Sequence, residues 1–179
     1  MARIILALSF LVFASPLFAQ YEIRKSTNSF LIVSKVPGRT FTLNVPGKKL
    51  TPYGAKTESH PYLVVDGAFL QVLSVPLAEF KANPKASDDT VLRQQMQYEA
   101  SYYKVPLSQV ESHTRNAGGR TVLVWSYVPT FSPRPVRQIF LTLRAGSYVV
   151  VIGSAVQSGQ TRSSIEALLT RIGASFHAT

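Results

Sequence analysis

The apolar runs Val122-Leu123-Val124-Trp125 and Val149-Val150-Val151-Ile152 are continuous rather than alternations of apolar and polar residues. Strands of this kind are apolar on both faces, so the sheet that holds them needs cover on both sides. Further β-rich runs occupy 30–36 and 40–45, around Pro37-Gly38, and 62–65 and 68–75, around Asp66-Gly67. Asp-Gly between two such runs is the strongest short hairpin signal in the chain. Pro46-Gly47 turns the chain into Lys48-Lys49-Leu50-Thr51-Pro52. Two more hairpins follow the midpoint: 109–115 with 120–128 through Ala117-Gly118-Gly119, and 138–144 with 147–152 through Ala145-Gly146. Every tight link is a hairpin, and hairpins make antiparallel neighbours.

Two stretches have helical periodicity instead. In 87–104, Leu92, Met96, Ala100 and Tyr103 fall on one stripe, widened by Tyr98 and Tyr102. Ser87 or Asp88 can cap that helix, and Asp88 and Asp89 suit its N-terminus. In 164–172, Ile165, Leu168, Leu169 and Ile172 form the buried face. Ser163 and Glu166 fit a capping box there, and Gly173 is expected to stop the helix. The order is four strands, helix, four strands, helix. It predicts an α+β fold in which an antiparallel β-sheet is flanked by helices, an α/β/α sandwich.

The chain opens MARIILALSFLVFASPLFAQ, with Arg3 ahead of an apolar stretch and Ala19 closing a Leu-x-Ala pattern before Gln20. That is the layout of a cleaved secretory signal. The apolar stretch is short for a membrane span and is interrupted by Ser9, Ser15 and Pro16. The expected organisation is a signal peptide over 1–19, a polar tether over 20–29 and a single domain over 30–179. The protein is expected to be exported, periplasmic or secreted, with no span in the mature form. No cysteine is present, which excludes a disulfide scaffold, thiol catalysis, thiolate metal sites and a lipid anchor on cysteine.

Lys and Arg number 19 against 9 Asp and Glu; losing Arg3 with the signal leaves 18 against 9, a net of +9. Such a balance favours anionic partners: lipid headgroups, envelope polymers or an acidic protein. The basic residues are scattered, paired only at Arg24-Lys25 and Lys48-Lys49 and loosely at Arg134 and Arg137, so no specific nucleic-acid motif is read. Lys48, Lys49, Arg134 and Arg137 lie on turns and loops, where binding residues concentrate, and form the candidate partner-contact set. Arg134 sits inside a proline-rich loop over 129–136.

The glycine-containing stretch IGSAVQSGQTRSS (152–164) does not match a phosphate-binding loop. Five residues separate Gly153 from Gly159 where that loop requires four, and Gln160 stands where its lysine belongs. No nucleotide partner follows. His60, His113 and His177 share no ligand spacing, and no nucleophile elbow is present. Glu111, His113 and Arg115 share one strand face and read as a solvated face. Trp125, the only tryptophan, reads as core. Accordingly no catalytic residue, metal site or cofactor is assigned.

The layout resembles the PsbP/Mog1-like group, including the periplasmic DcrB-like proteins. Thr40-Phe41-Thr42-Leu43-Asn44-Val45-Pro46 resembles its opening strand and proline, and the capped helix at 87–104 its mid-chain helix. The run 137–152, then Ile165-Glu166-Ala167-Leu168-Leu169 and Ala174-Ser175-Phe176, resembles its closing hairpin, helix and final strand. The resemblance covers about 40–176 and implies an α/β/α sandwich without an active site, acting by binding or assembly.

The leading expectation is an exported non-enzymatic module acting on a macromolecular partner. One alternative is a small hydrolase or metal-dependent enzyme, which requires at least two of the three histidines to meet carboxylates or serine in one pocket. A second is a lipophilic-ligand carrier with a pocket lined by Tyr98, Tyr102 and Phe131.

Overall fold

The structure, a computed structural model, describes residues 20–53, 62–129 and 135–179. The expected signal over 1–19, His60, Phe131 and Arg134 lie outside the described residues. Eleven strands and two α-helices follow in the order β1 (Tyr21–Lys25), β2 (Ser29–Ser34), β3 (Phe41–Pro46), β4 (Leu50–Tyr53), β5 (Tyr62–Val65), β6 (Ala68–Pro76), α1 (Asp88–Tyr102), β7 (Glu111–Ala117), β8 (Arg120–Tyr127), β9 (Gln138–Ala145), β10 (Tyr148–Ala155), α2 (Arg162–Ala174) and β11 (His177–Ala178).

The strands form two sheets rather than one. Seven run in the order β4-β5-β6-β10-β9-β8-β7, and four in the order β1-β2-β3-β11. All pairings are antiparallel. The unbroken apolar runs lie in the seven-stranded sheet, and every residue of β10 is buried. Its Val149 and Val151 pack toward α1 with Leu92, Met96 and Trp125, while Val150 and Ile152 pack toward α2 with Leu169 and Ile172. β2 and β3 bury only alternate residues, Phe30, Ile32, Phe41, Leu43 and Val45. A one-sided apolar pattern suits a covering layer. The four-stranded sheet accordingly joins α2 in one apolar cluster over one face of the larger sheet. The molecule is an α+β fold in which α1 covers one face of the central sheet, and α2 and a second sheet cover the other.

Other details depart from expectation. The segment read as a tether forms β1, an edge strand paired with β2 from Tyr21↔Ser34 to Lys25↔Phe30. The cap of α2 is Thr161, whose side chain accepts from the Ser164 backbone N–H at 3.1 Å, while the Ser164 hydroxyl receives the Thr161 N–H. Ser163 and Glu166 are therefore not the box; Glu166 turns inward. Gly173 does not end α2 but lies in its last turn, where a Cβ would stand 2.9 Å from Leu141 Cδ2. It is the close-contact point of helix on β9. Ser87 does cap α1, accepting from the Thr90 N–H at 3.3 Å, with Asp88 and Asp89 in the first turn. Asp66 and Gly67 both have positive φ, 48° and 84°, as a tight hairpin of the mirror-image type requires.

Candidate functional site

Three of the four candidate contact residues can be placed. Lys48 and Lys49 form the turn between β3 and β4. The Asp66 carboxylate accepts both of their backbone N–H groups, at 2.9 and 2.8 Å, and so ties this turn to the β5–β6 hairpin. Those bonds, that of Lys48 first, hold the Asp66 carboxyl below its usual range. With Asp66 committed to the backbone, both lysine side chains are exposed and neither makes an ion pair with a described residue.

Arg137 sits at the start of β9, at the same end of the central sheet. It is more engaged: Nη1 donates to Glu111 Oε1 at 2.8 Å and to the buried Ser126 Oγ at 3.0 Å. Three strands, β5, β6 and β10, stand between β4 and β9. At about 4.8 Å per strand, Lys49 and Arg137 are roughly 19 Å apart along one rim. Beside the rim opens a groove of about 650 Å³, lined by Val64, Phe69, Gln138, Ala155, Gln157 and Ser158. The glycine-containing stretch that does not match a phosphate-binding loop contributes its Gln157 and Ser158, while Gly153 is a strand residue lying against the Phe140 ring, 3.0 Å from where a Cβ would be.

Around the other edge, β7 and α2 are joined by charge. Glu166 is 6 % exposed and accepts from Arg115 Nη2 at 2.9 Å and Arg162 Nε at 2.7 Å. Arg162 also bridges to Glu111. These two acceptors, Glu166 first, raise the Arg162 guanidinium, and the two arginines lower the Glu111 carboxyl, Arg162 more than Arg137. The face bearing Glu111, His113 and Arg115 is thus a docking face for α2 rather than a freely solvated one. The Arg162–Glu166 spacing of one helical turn was the only sequence signal for this arrangement.

His113 Nε2 lies 3.7 Å from Glu166 Oε2. His177 is exposed on β11. Among the described residues the histidines do not converge, and none of their acidic or imidazole groups forms a three-ligand metal cluster. Tyr98 donates to Glu79 at 3.2 Å and faces Phe80, whereas Tyr102 is 73 % exposed, so these two do not line one pocket. Trp125 is core, 1 % exposed and stacked on Phe140 at 4.2 Å.

No protein-family model matches this chain, and no curated protein matches it in sequence. Solved structures do. The solution structure of cyanobacterial PsbP (CyanoP) from Synechocystis aligns over 87 % of this chain and 95 % of its own, at 10 % identity and a TM-score of 0.56. A crystal structure of a protein from Bacteroides thetaiotaomicron aligns over 78 % of this chain and 45 % of its own, at 10 % identity and a TM-score of 0.51. An antiparallel sheet packed between helices, shared across nearly the whole of the first neighbour, gives this chain a PsbP-like fold.

Proposed function

We propose that this protein is an exported, non-catalytic binding or assembly module that engages an anionic macromolecular partner through the rim carrying Lys48, Lys49 and Arg137. Arg134, from the adjoining loop, completes the proposed set. One observation carries the reading: every Asp and Glu among the described residues is occupied within the fold, while most lysines are not. Glu22, Asp88, Asp89, Glu111 and Glu166 hold arginines or lysine, Asp66 holds backbone, Glu79 holds a tyrosine and Glu99 a glutamine. Lys25, Lys48, Lys49, Lys81, Lys85 and Lys104 make no ion pair with a described residue and are exposed. The surplus positive charge therefore faces outward, where it attracts anions at long range. Export rests on the leader sequence. Among the described residues no helix is long and apolar enough to cross a membrane.

The test is binding of wild type and Lys48→Glu/Lys49→Glu to anionic vesicles, to an anionic envelope polymer and to neutral vesicles. The double variant is expected to bind an anionic target at least about tenfold more weakly, with the difference shrinking as salt rises toward 1 M. Equal binding by the two proteins at low salt refutes the rim. The groove of about 650 Å³, walled in part by Val64, Phe69 and Ala155, favours a second reading as a lipophilic-ligand carrier. A rise in melting temperature with a lipophile, unaffected by the lysine substitutions, would select it.

A further inference from the structure

At the opposite end of β6 from Asp66-Gly67, and so apart from the lysine rim, lies a partly open cavity of about 290 Å³. Among the described residues β5 pairs with β6 from Val65↔Ala68 to Tyr62↔Gln71, and beyond that Leu73, Ser74 and Val75 form one wall. The start of β1 and the loop from β2 to β3 supply the rest, with Tyr21 and Arg39. Glu79, exposed beyond β6, stands at the mouth.

The lining is unusual in its charges. Arg39 is half-buried and donates from Nη1 to the Ser74 carbonyl at 2.5 Å, but among the described residues it meets no carboxylate. A guanidinium has five N–H donors, so most of its capacity remains unspent. Ser74 Oγ, next to it, is buried beside the Tyr21 hydroxyl and is not open to the cavity. The Tyr21 hydroxyl belongs to the same group: burial raises its pKa, and the Ser74 and Ser34 hydroxyls and the Arg39 charge oppose that rise. Among the described residues Glu79 accepts only the Tyr98 hydroxyl and pairs with no cation. One small cavity thus holds a cation inside and an anion at its mouth that do not neutralise each other. A guanidinium with unspent donors facing a cavity can take a carboxylate as a charge-assisted partner. A simple anion would satisfy Arg39 but be repelled by Glu79. A simple amine has the converse difficulty.

We propose that this cavity is a binding site for a free α-amino acid. Its carboxylate lies on Arg39, and its ammonium group on Glu79. The site is independent of the anionic-partner reading and survives its failure.

The experiment is calorimetric titration of the purified protein with each of the common free amino acids. Every amino acid that binds is then compared with its deaminated acid and its decarboxylated amine. At least one amino acid is expected to saturate, with both truncated counterparts about tenfold or more weaker, as loss of a charge-assisted hydrogen bond implies. Arg39→Gln should abolish binding. Glu79→Gln, at an exposed position that leaves folding intact, should bring the amino acid and its deaminated acid to within about threefold of each other, because only the ammonium contact is lost. That change of preference is not expected of a residue with a merely structural role. Failure of every amino acid to saturate at millimolar concentration overturns the proposal. So does an unchanged preference in Glu79→Gln, whether or not Arg39→Gln folds.

Discussion

Glu99 shows how much one side chain can be set by its surroundings. It follows Gln95 by one turn on the sheet-facing side of α1, and Gln95, itself fully buried, donates to it at 3.1 Å. Burial raises the Glu99 carboxyl to about 7; the Gln95 bond opposes the rise, and the nearby Glu79 charge adds to it. The sign follows from linkage. The folded state holds its proton more tightly than the unfolded chain, so the protonated form's stabilisation is complete below the ordinary carboxylate pKa and is lost as pH climbs through about 7. The shift corresponds to a fall of about 3 kcal/mol at most between pH 4 and pH 8. Glu99→Gln keeps the shape and removes the titration. Urea unfolding at pH 5 and pH 8 should therefore show wild type losing stability with rising pH and the variant losing much less. Parallel losses in the two proteins would mean that another group carries the dependence.

Between elements, the strongest polar join is that of α2 on β7. Glu166 is almost fully buried, whereas its partners Arg115 and Arg162 keep 43 % and 38 % of their side-chain surface. Removing the carboxylate leaves two arginines that can rehydrate, so Glu166→Gln should cost about 1–3 kcal/mol, below the 3–5 typical of a fully buried pair. Glu22→Gln, in the exposed pairs with Arg24 and Lys35, should leave the denaturation midpoint where it is. A Glu166→Gln midpoint equal to that of wild type would show that apolar contacts alone seat the helix. This join was poorly legible in the sequence because its partners are 51 residues apart. The elements that could be read were those whose cause is local: the Asp66-Gly67 turn, the Ser87 cap and the double-sided apolar runs of β8 and β10. Those not read from the residues have weak local signals. β1 reads Tyr-Glu-Ile-Arg-Lys and is largely exposed, and β4 contains Pro52. The final strand, implied by the resemblance at 174–176, is only two residues long and lies at His177–Ala178. The Arg39 cavity could not be read either, since it gathers residues from β1, the β2–β3 loop and β6, and only folding brings them together.

Across the whole molecule, the central sheet is a wall shared by two apolar clusters. Along β8, Leu123 and Trp125 face α1 while Val122 and Val124 face α2; along β9, Phe140 faces α1 and Leu141 faces α2. Neither cluster can be dissolved without removing the support of the other, because the same strand backbones carry both. A single domain of this size with such a wall should unfold in one step. The only tryptophan makes this testable, because Trp125 reports on the α1 side alone. Leu169 is fully buried on the opposite side, in the cluster with Ile165 and Ile172. Leu169→Ala should cost about 2–5 kcal/mol through lost transfer energy and the cavity left behind. If the sheet couples its faces, the tryptophan-fluorescence midpoint in guanidinium should fall by as much as the circular-dichroism midpoint, although the substitution touches nothing on the tryptophan side. A fluorescence transition that stays at its wild-type midpoint while the dichroism transition shifts would show instead that the α1 layer holds together after α2 and the four-stranded sheet have come away.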